Sequence, residues 1–318
     1  DPVTYSLASF ETNKEEYIDI DTIENLDSSP TIVEFNLPER YPLASFVYSV
    51  FVFTVLIELL GAIALYIGFK QAGFENPIWY ALFHSISAFC TAGFSLFGDS
   101  MSGFKDNTLI TTTILILSVL GSIGFIVLLD FWMRLVGKRK SITLTSKIIL
   151  SSTFILIFVS TLAIFISDVE MRLIGFDGFK LAFFQSISAH TTVGFNNYNI
   201  GVIDIGGIFV LIVIMIIGAS PSGTGGGIKT TTITALFAVM ISILKRRKHV
   251  TFFDKEIPAS NIYLAVSSVV FYSFILISET GNEESQLIRH KLLNETQFEG
   301  GSEYLSQILS RLHHLFYK

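Results

Sequence analysis

Two stretches of this 318-residue sequence carry the same order of residues, FHSISAFCTAGFS at 83–95 and FQSISAHTTVGFN at 184–196. They match at a constant offset of 101 residues: Phe83 with Phe184, Ser85 with Ser186, Ile86 with Ile187, Ser87 with Ser188, Ala88 with Ala189, Thr91 with Thr192, Gly93 with Gly194 and Phe94 with Phe195. Each closes on Thr-x-Gly-Phe. Gly93 and Gly194 permit a backbone conformation closed to β-branched neighbours, so that successive carbonyls can face one axis. Carbonyls arranged in that way replace the water shell of a monovalent cation. Taken one copy at a time, SISA also suits small residues packing one membrane helix against another; two copies at the same place in a repeat favour the carbonyl chemistry.

A third stretch, GASPSGTGGGIKTTT at 218–232, sits between the apolar runs IFVLIVIMII and ITALFAVMISIL. A nucleotide phosphate loop would need Gly and Lys adjacent and a strand before them. Here Ile228 separates Gly227 from Lys229, and the run before the loop is apolar enough to lie in a membrane. Two readings remain from the residues, a loop that moves and a plain kink.

The elements that must position these groups are membrane spans. The chain is 51% hydrophobic and 15% charged, with a mean hydropathy of +0.60, which excludes an ordinary water-soluble domain of this length. Segments 46–69, 108–133, 145–167 and 259–278 each reach the roughly 20 residues that cross about 30 Å of hydrocarbon, and 202–244 is a longer, interrupted one. The apolar stretches ahead of the two glycines, 78–90 and 179–191, have 13 residues each. As helices they are about 20 Å long, too short to cross. They are expected to enter halfway, end with the negative pole of the helix dipole inside the protein, and return as extended chain. Such backbone is tolerated only where protein or a water path surrounds it.

The predicted class is thus an all-α integral membrane protein with two complete span–pore-loop–span repeats and one further span. Its parts are an acidic segment over 1–44, a repeat over 45–133, a basic loop over 134–147, a repeat over 148–244, a second basic loop over 245–258, a span over 259–278 and a polar tail over 279–318. The acidic segment has ten acids against two bases; it reads as disordered and lacks the basic and apolar regions of a cleavable signal. Arg134, Lys138, Arg139, Lys140 and Lys147 crowd one loop and Lys245, Arg246, Arg247, Lys248 and Lys255 the other, whereas 70–107 and 168–201 hold two bases each. The basic loops are therefore expected on the cytoplasmic side of a plasma membrane. KRRKH at 245–249 reads as an orientation and headgroup anchor.

Other polar groups are weaker candidates. Glu58 lies well inside a span and is either functional or hydrogen-bonded to a neighbouring helix. Asp130 is placed to pair with Arg134 one turn on. His84 and His190 stand at non-equivalent repeat positions, and Cys90, the single cysteine, excludes an internal disulfide. No nucleophile–base or metal constellation appears, so no enzyme is expected, nor a cofactor or a nucleic-acid partner.

FHSISAFCTAGFSLFGDS, FQSISAHTTVGFNNYNIG and GASPSGTGGGIKTTT, in this order, resemble the Trk/Ktr/HKT superfamily of cation transporters, most closely its bacterial TrkH/KtrB potassium-uptake subunits, over about residues 46–278. The resemblance implies that these are the second and third of four pore loops around one ion path, and an intramembrane gate beneath them. It implies a selectivity filter at the backbone carbonyls of Thr91, Ala92, Gly93, Phe94 and Ser95 and of Thr192, Val193, Gly194, Phe195 and Asn196, passing K+ and to some degree Na+. It further implies that Ser222, Gly223, Thr224, Gly225, Gly226, Gly227 and Lys229 form the gating loop, interrupting a helix over 202–217 that resumes near 230–244. Glycine rather than serine at 93 and 194 favours K+ by the same analogy. Lys229 is expected at the cavity edge or on carbonyls, where it could repel a cation when the loop is closed. Family members dimerise and dock a cytosolic nucleotide-binding ring.

The family's first and fourth repeats have no counterpart here, and a filter needs about four strands where these residues supply two. A fragment, a decayed copy and a half-subunit paired with other chains are the possible accounts, with truncation or decay favoured. The alternative to transport is a non-conducting membrane protein or assembly partner of a full-length relative.

Overall fold

The computed structural model describes residues 43–137, 141–246, 250–252, 255–256 and 259–280. The acidic segment up to residue 42, Lys138, Arg139, Lys140, Arg247, Lys248 and the tail beyond 280 lie outside the described residues. The chain divides into two units, residues 1–49 and 50–318. Of the first unit, residues 43–49 are described, the start of the first helix; the rest of that helix and all later elements belong to the second.

Helix α1 (Leu43–Gln71) has 29 residues, about 44 Å at 1.5 Å per residue. α2 (Pro77–Phe89) begins on a proline, whose missing N–H costs nothing in a first turn, and stops after 13 residues. α3 (Thr108–Ile123) is capped by Asn107, whose side chain accepts from the Ile110 amide, and α4 (Phe125–Leu135) comes next. The second repeat runs through α5 (Leu144–Ser167), α6 (Val169–Leu173), α7 (Phe176–Thr191), α8 (Ile205–Ile216) and α9 (Thr230–Leu244). A two-residue antiparallel pair, β1 (Thr251–Phe252) with β2 (Lys255–Glu256), leads into α10 (Ala259–Thr280).

Among the described residues, α1 and α5 are long and apolar enough to cross a membrane by themselves. Their outward residues, such as Phe51, Leu59 and Ile63 on α1 and Phe154 and Phe158 on α5, are exposed, as suits side chains that meet lipid. α2 and α7, about 20 and 24 Å long by residue count, are short helices at the places where the two half-helices are expected.

The continuous span expected over 108–133 is not one helix. It breaks at Gly124, and α4 leaves α3 at 96°. The cause is non-local: Gly124 takes φ +86°, and a Cβ there would lie 2.7 Å from the Pro221 carbonyl oxygen and 2.8 Å from the Gly223 nitrogen. Gly225, in the interrupted span of the second repeat, lies one repeat offset further on. Both second spans are therefore broken at equivalent places, and the two breaks pack on each other through Phe125 N–H donating to Ser222 O (3.3 Å).

Two smaller departures have local causes. α6 precedes the second half-helix because Asp168 caps it, accepting from Met171 N at 2.8 Å, and α7 then starts at Phe176, three residues before the expected 179. α8 starts at Ile205 after a 3-10 turn over Ile200–Val202; Asp204 receives Val169 N and its own amide reaches Asp168, tying the turn to α6.

One core joins the repeats. Leu65, Phe69, Phe89, Ile110, Ile114 and Leu117 of the first repeat enclose Phe184, Val193 and Phe195 of the second. Phe69 is the hub, with the rings of Phe74, Tyr80, His84, Phe97 and Phe104 within 6.0 Å of its own. A second cluster, including Ile164, Met171, Ala182, Ile203 and Leu211, fixes α7 between α5 and α8.

Candidate functional site

Each half-helix ends in the same way. After α2 comes Thr91 at φ +50°, after α7 Thr192 at φ +58°, and two residues on stand Gly93 at +70° and Gly194 at +83°. The glycines were legible as positive-φ positions. The threonines were not, because a β-branched residue in the left-handed region is an outlier that costs on the order of 1–3 kcal/mol and persists only where its surroundings over-determine it. Those surroundings are the glycine loop. Thr91 Oγ1 lies 3.2 Å from Thr224 Oγ1, and Thr192 Oγ1 accepts from Gly226 N at 2.7 Å.

The loop spans 217–229 and is bonded to both half-helix ends and to α3. Thr224 donates its hydroxyl to Phe89 O (3.0 Å) and its amide to Gly121 O (3.0 Å). Ser220 donates its hydroxyl to Ser122 O at 2.8 Å. These approaches leave no room for side chains. A Cβ at Gly121 would sit 1.9 Å from Phe89 O, one at Gly223 2.2 Å from Ser122 O, and one at Gly225 2.6 Å from Thr191 O. Gly223, Gly225 and Gly227 are thus explained by close approach of other backbone, which composition alone could not show, whereas a Cβ at Gly226 would meet only Thr192 Oγ1 at 3.5 Å, an ordinary contact. Lys229 Nζ donates to Gly225 O at 2.9 Å, the carbonyl pairing expected of it. α2 and α7 both point their negative ends, roughly half an elementary charge each, at this loop.

Beyond the glycines the second return strand is bonded to the turn that follows the first. Asn196 accepts on its carbonyl from Met101 N (2.7 Å), and its amide reaches Ser100 Oγ (3.0 Å). The expected filter residues are therefore brought into one region, with Gly93, Val193, Gly194 and Phe195 buried, Ala92, Ser95, Thr192 and Asn196 half-buried, and Phe94 exposed. Of the loop residues Gly225 is buried, Ser222, Gly223, Gly227 and Lys229 are half-buried, and Thr224 and Gly226 are exposed.

The weaker candidates take structural places. Ser85 Oγ donates to Glu58 O at 2.6 Å and Cys90 Sγ to Glu58 Oε1 at 3.6 Å, so Glu58 bonds the neighbouring half-helix. Asp130 Oδ2 accepts from Thr143 N, Thr143 Oγ1 and Ser146 Oγ at 2.5–2.7 Å. It fastens the start of α5, a role that the expected Arg134 pairing did not include. His84 sits with Nδ1 2.7 Å from Tyr80 O, a geometry only an N–H can satisfy, which leaves Nε2 to accept from Leu96 N at 3.3 Å. His190 is buried, and its Nδ1 meets no hydrogen-bond partner among the described residues. No group of three or more His, Cys, Asp or Glu side chains among the described residues is placed to hold a metal ion.

Sequence reasoning matched Ser87 to Ser188 and Ser85 to Ser186 but gave them no separate tasks. Ser85 and Ser186 donate backwards, to Glu58 O and to Ile157 O (3.0 Å), packing each half-helix on the span before it. Ser186 also bonds Ser160. The small-residue packing reading therefore holds for one serine of each pair.

Comparison with known proteins agrees with this architecture. The family model for TrkH, described as a cation transport protein, matches residues 39–278. The Ktr system potassium uptake protein B of Vibrio alginolyticus is 34% identical over 230 residues, covering 70% of this chain and 50% of that protein. The protein of the same name from Bacillus subtilis is 31% identical over 232 residues, 71% and 52% of the two chains. The potassium/sodium uptake protein NtpJ of Enterococcus hirae is 29% identical over 239 residues, 73% and 52%. The chain thus spans about half the length of the relatives it matches. In fold it resembles the crystal structure of the potassium transporter TrkH from Vibrio parahaemolyticus, with a TM-score of 0.55 and 22% identity over 70% of this chain and 48% of that one. With the family model matched over residues 39–278, from before α1 into the last turn of α10, this multi-pass plasma-membrane chain is a member of the TrkH cation transport protein family.

Proposed function

We propose that the chain supplies two strands of a filter for monovalent cations, K+ above all, and the loop that gates it. The filter strands are 91–95 and 192–196, and the gate is formed by Ser222, Gly223, Thr224, Gly225, Gly226, Gly227 and Lys229. One observation carries this reading: both half-helices end on a left-handed threonine that is hydrogen-bonded to the same glycine loop. A cation descending between the strands meets that loop, and the converging helix dipoles favour positive charge at the same spot. In this arrangement the Lys229 ammonium, anchored on Gly225 O, is the resident positive charge of a closed loop. Opening removes it together with the loop backbone.

Two strands do not surround an ion, and the others come from a second copy or from chain segments that supply the missing repeats. A cytosolic nucleotide-binding ring is the regulator this reading implies. The test is uptake of radiolabelled rubidium into proteoliposomes, with Gly194→Ser beside the unaltered chain. Serine at φ +83° strains the strand by on the order of 1 kcal/mol or more, so uptake above that of empty liposomes should fall several-fold in the variant. Equal uptake by both would remove Gly194 from the ion path, and no uptake by folded protein would refute conduction by this chain.

A further inference from the structure

Ser87 and Ser188, one repeat offset apart, each grip the return strand at two points. The main-chain carbonyl of Ser87 accepts from Ala92 N at 2.8 Å, and that of Ser188 from Val193 N at 3.1 Å. The hydroxyl of Ser87 donates to Phe94 O at 2.8 Å, and that of Ser188 to Phe195 O at 2.6 Å. Both serines are buried, at 5% and 0% exposure. Each hydroxyl has one proton and spends it on the strand. The two grips lie on either side of Gly93 or Gly194, so they fix the length of chain that rises past the glycine.

We propose that Ser87 and Ser188 are the positioning residues that set the ion-facing carbonyls, and that Phe94 O and Phe195 O are turned to the serines and take no part in coordination. The Asn196 carbonyl is likewise engaged, by Met101 N. Coordination then falls to the carbonyls of Thr91, Ala92, Gly93 and Ser95 and of Thr192, Val193 and Gly194, fewer than the five residues per strand that the motif suggests. The anchors further along differ between the repeats: His84 accepts from Leu96 N, whereas Gln185, at the equivalent position, donates to Asn197 Oδ1 and Tyr198 O, both at 3.3 Å. The serine grip is the element common to both copies, as a shared strand geometry requires. This inference rests on the strands being a filter; the grip itself does not.

The experiment compares the full chain with Ser87→Ala, Ser188→Ala and the control Ser186→Ala, whose lost hydroxyl bonds the preceding span instead of the strand. Competing rubidium and sodium uptake into proteoliposomes is measured on equal amounts of folded protein. Amide hydrogen exchange is followed across 92–97 and 193–198. Loss of one hydrogen bond should reduce discrimination of rubidium over sodium about fivefold and speed exchange in the corresponding segment about fivefold. Ser186→Ala should change neither ratio. Unaltered discrimination and exchange in Ser87→Ala and Ser188→Ala would overturn the proposal, as would an equal change in Ser186→Ala. Should the unaltered chain take up no ion, exchange alone decides: faster exchange in Ser87→Ala and Ser188→Ala upholds the grip while conduction by this chain falls, and unchanged exchange overturns the grip.

Discussion

Replacing Thr224 with valine keeps the shape of the side chain and deletes the hydroxyl that links the glycine loop to the end of α2. Two contacts are lost, Thr224 Oγ1 to Phe89 O at 3.0 Å and Thr91 Oγ1 to Thr224 Oγ1 at 3.2 Å. They do not count equally. Thr91 Oγ1 also donates to Cys90 O at 2.8 Å, so its one proton is shared between the two acceptors and keeps Cys90 O when Thr224 Oγ1 is removed. Thr224 is exposed as well, so water partly replaces its bond to Phe89. Together they are worth about 1–1.5 kcal/mol, while the Thr224 amide bond to Gly121 O and the Thr192 bond to Gly226 N remain. If the loop is a gate held shut by these contacts, the open fraction should rise roughly five- to tenfold. Rubidium efflux from preloaded proteoliposomes should accelerate by that factor, with the same circular dichroism and the same yield of folded protein. Efflux unchanged or slowed in well-folded Thr224→Val would refute the gate.

Gly121→Ala should lower the melting temperature in detergent, because a methyl 1.9 Å from Phe89 O drives α3 from α2 at a cost of about 1–3 kcal/mol or more; unaltered melting would mean that this contact is loose. Burial, first, and then the hydrogen bond from its hydroxyl to Glu170 Oε2 (2.7 Å), with Asp168 and Asp204 nearby, hold the Tyr198 phenol above its ordinary value. The folded state therefore retains this proton when the unfolded chain releases it, so the contribution of the phenol is full below about pH 10 and declines as pH rises beyond. Thermal scans from about pH 8 to 11 should show a shallower alkaline loss of stability in Tyr198→Phe than in the unaltered chain, and parallel curves would argue against that environment.

How much of this was legible depended on whether its cause was local. The repeat offset, the half-helices and the interrupted second span follow from apolar lengths and matched motifs. The break at Gly124 did not, since GSIGFIV reads as continuous span and the loop that packs against Gly124, at Pro221, Ser222 and Gly223, lies far along the chain. The left-handed threonines were hidden for the same reason, their conformations being set by Thr224 and Gly226. Asp130 was read through the helix it stands on, whereas its partners come from the next one, and Thr143 with Ser146 was the capping signal that could have pointed there. The serines of SISA were visible as a matched pair of pairs. Their division of labour was not, because it depends on which face of the half-helix meets the preceding span.

The clasp between the outer turns of the repeats constrains how the protein is made. Asn196 receives the Met101 amide and reaches Ser100 across 96 positions of sequence, so the first outer turn is synthesised long before its partner. At about 5–20 residues per second, the interval is roughly 5–20 s. Throughout it the Met101 side chain, fully enclosed in the finished fold, and the amide beside it lack the neighbour that satisfies them. The first repeat therefore leaves the ribosome unfinished and is completed only when the second half-helix has been inserted, which makes the translocon and its lipid surroundings the temporary custodians of that turn.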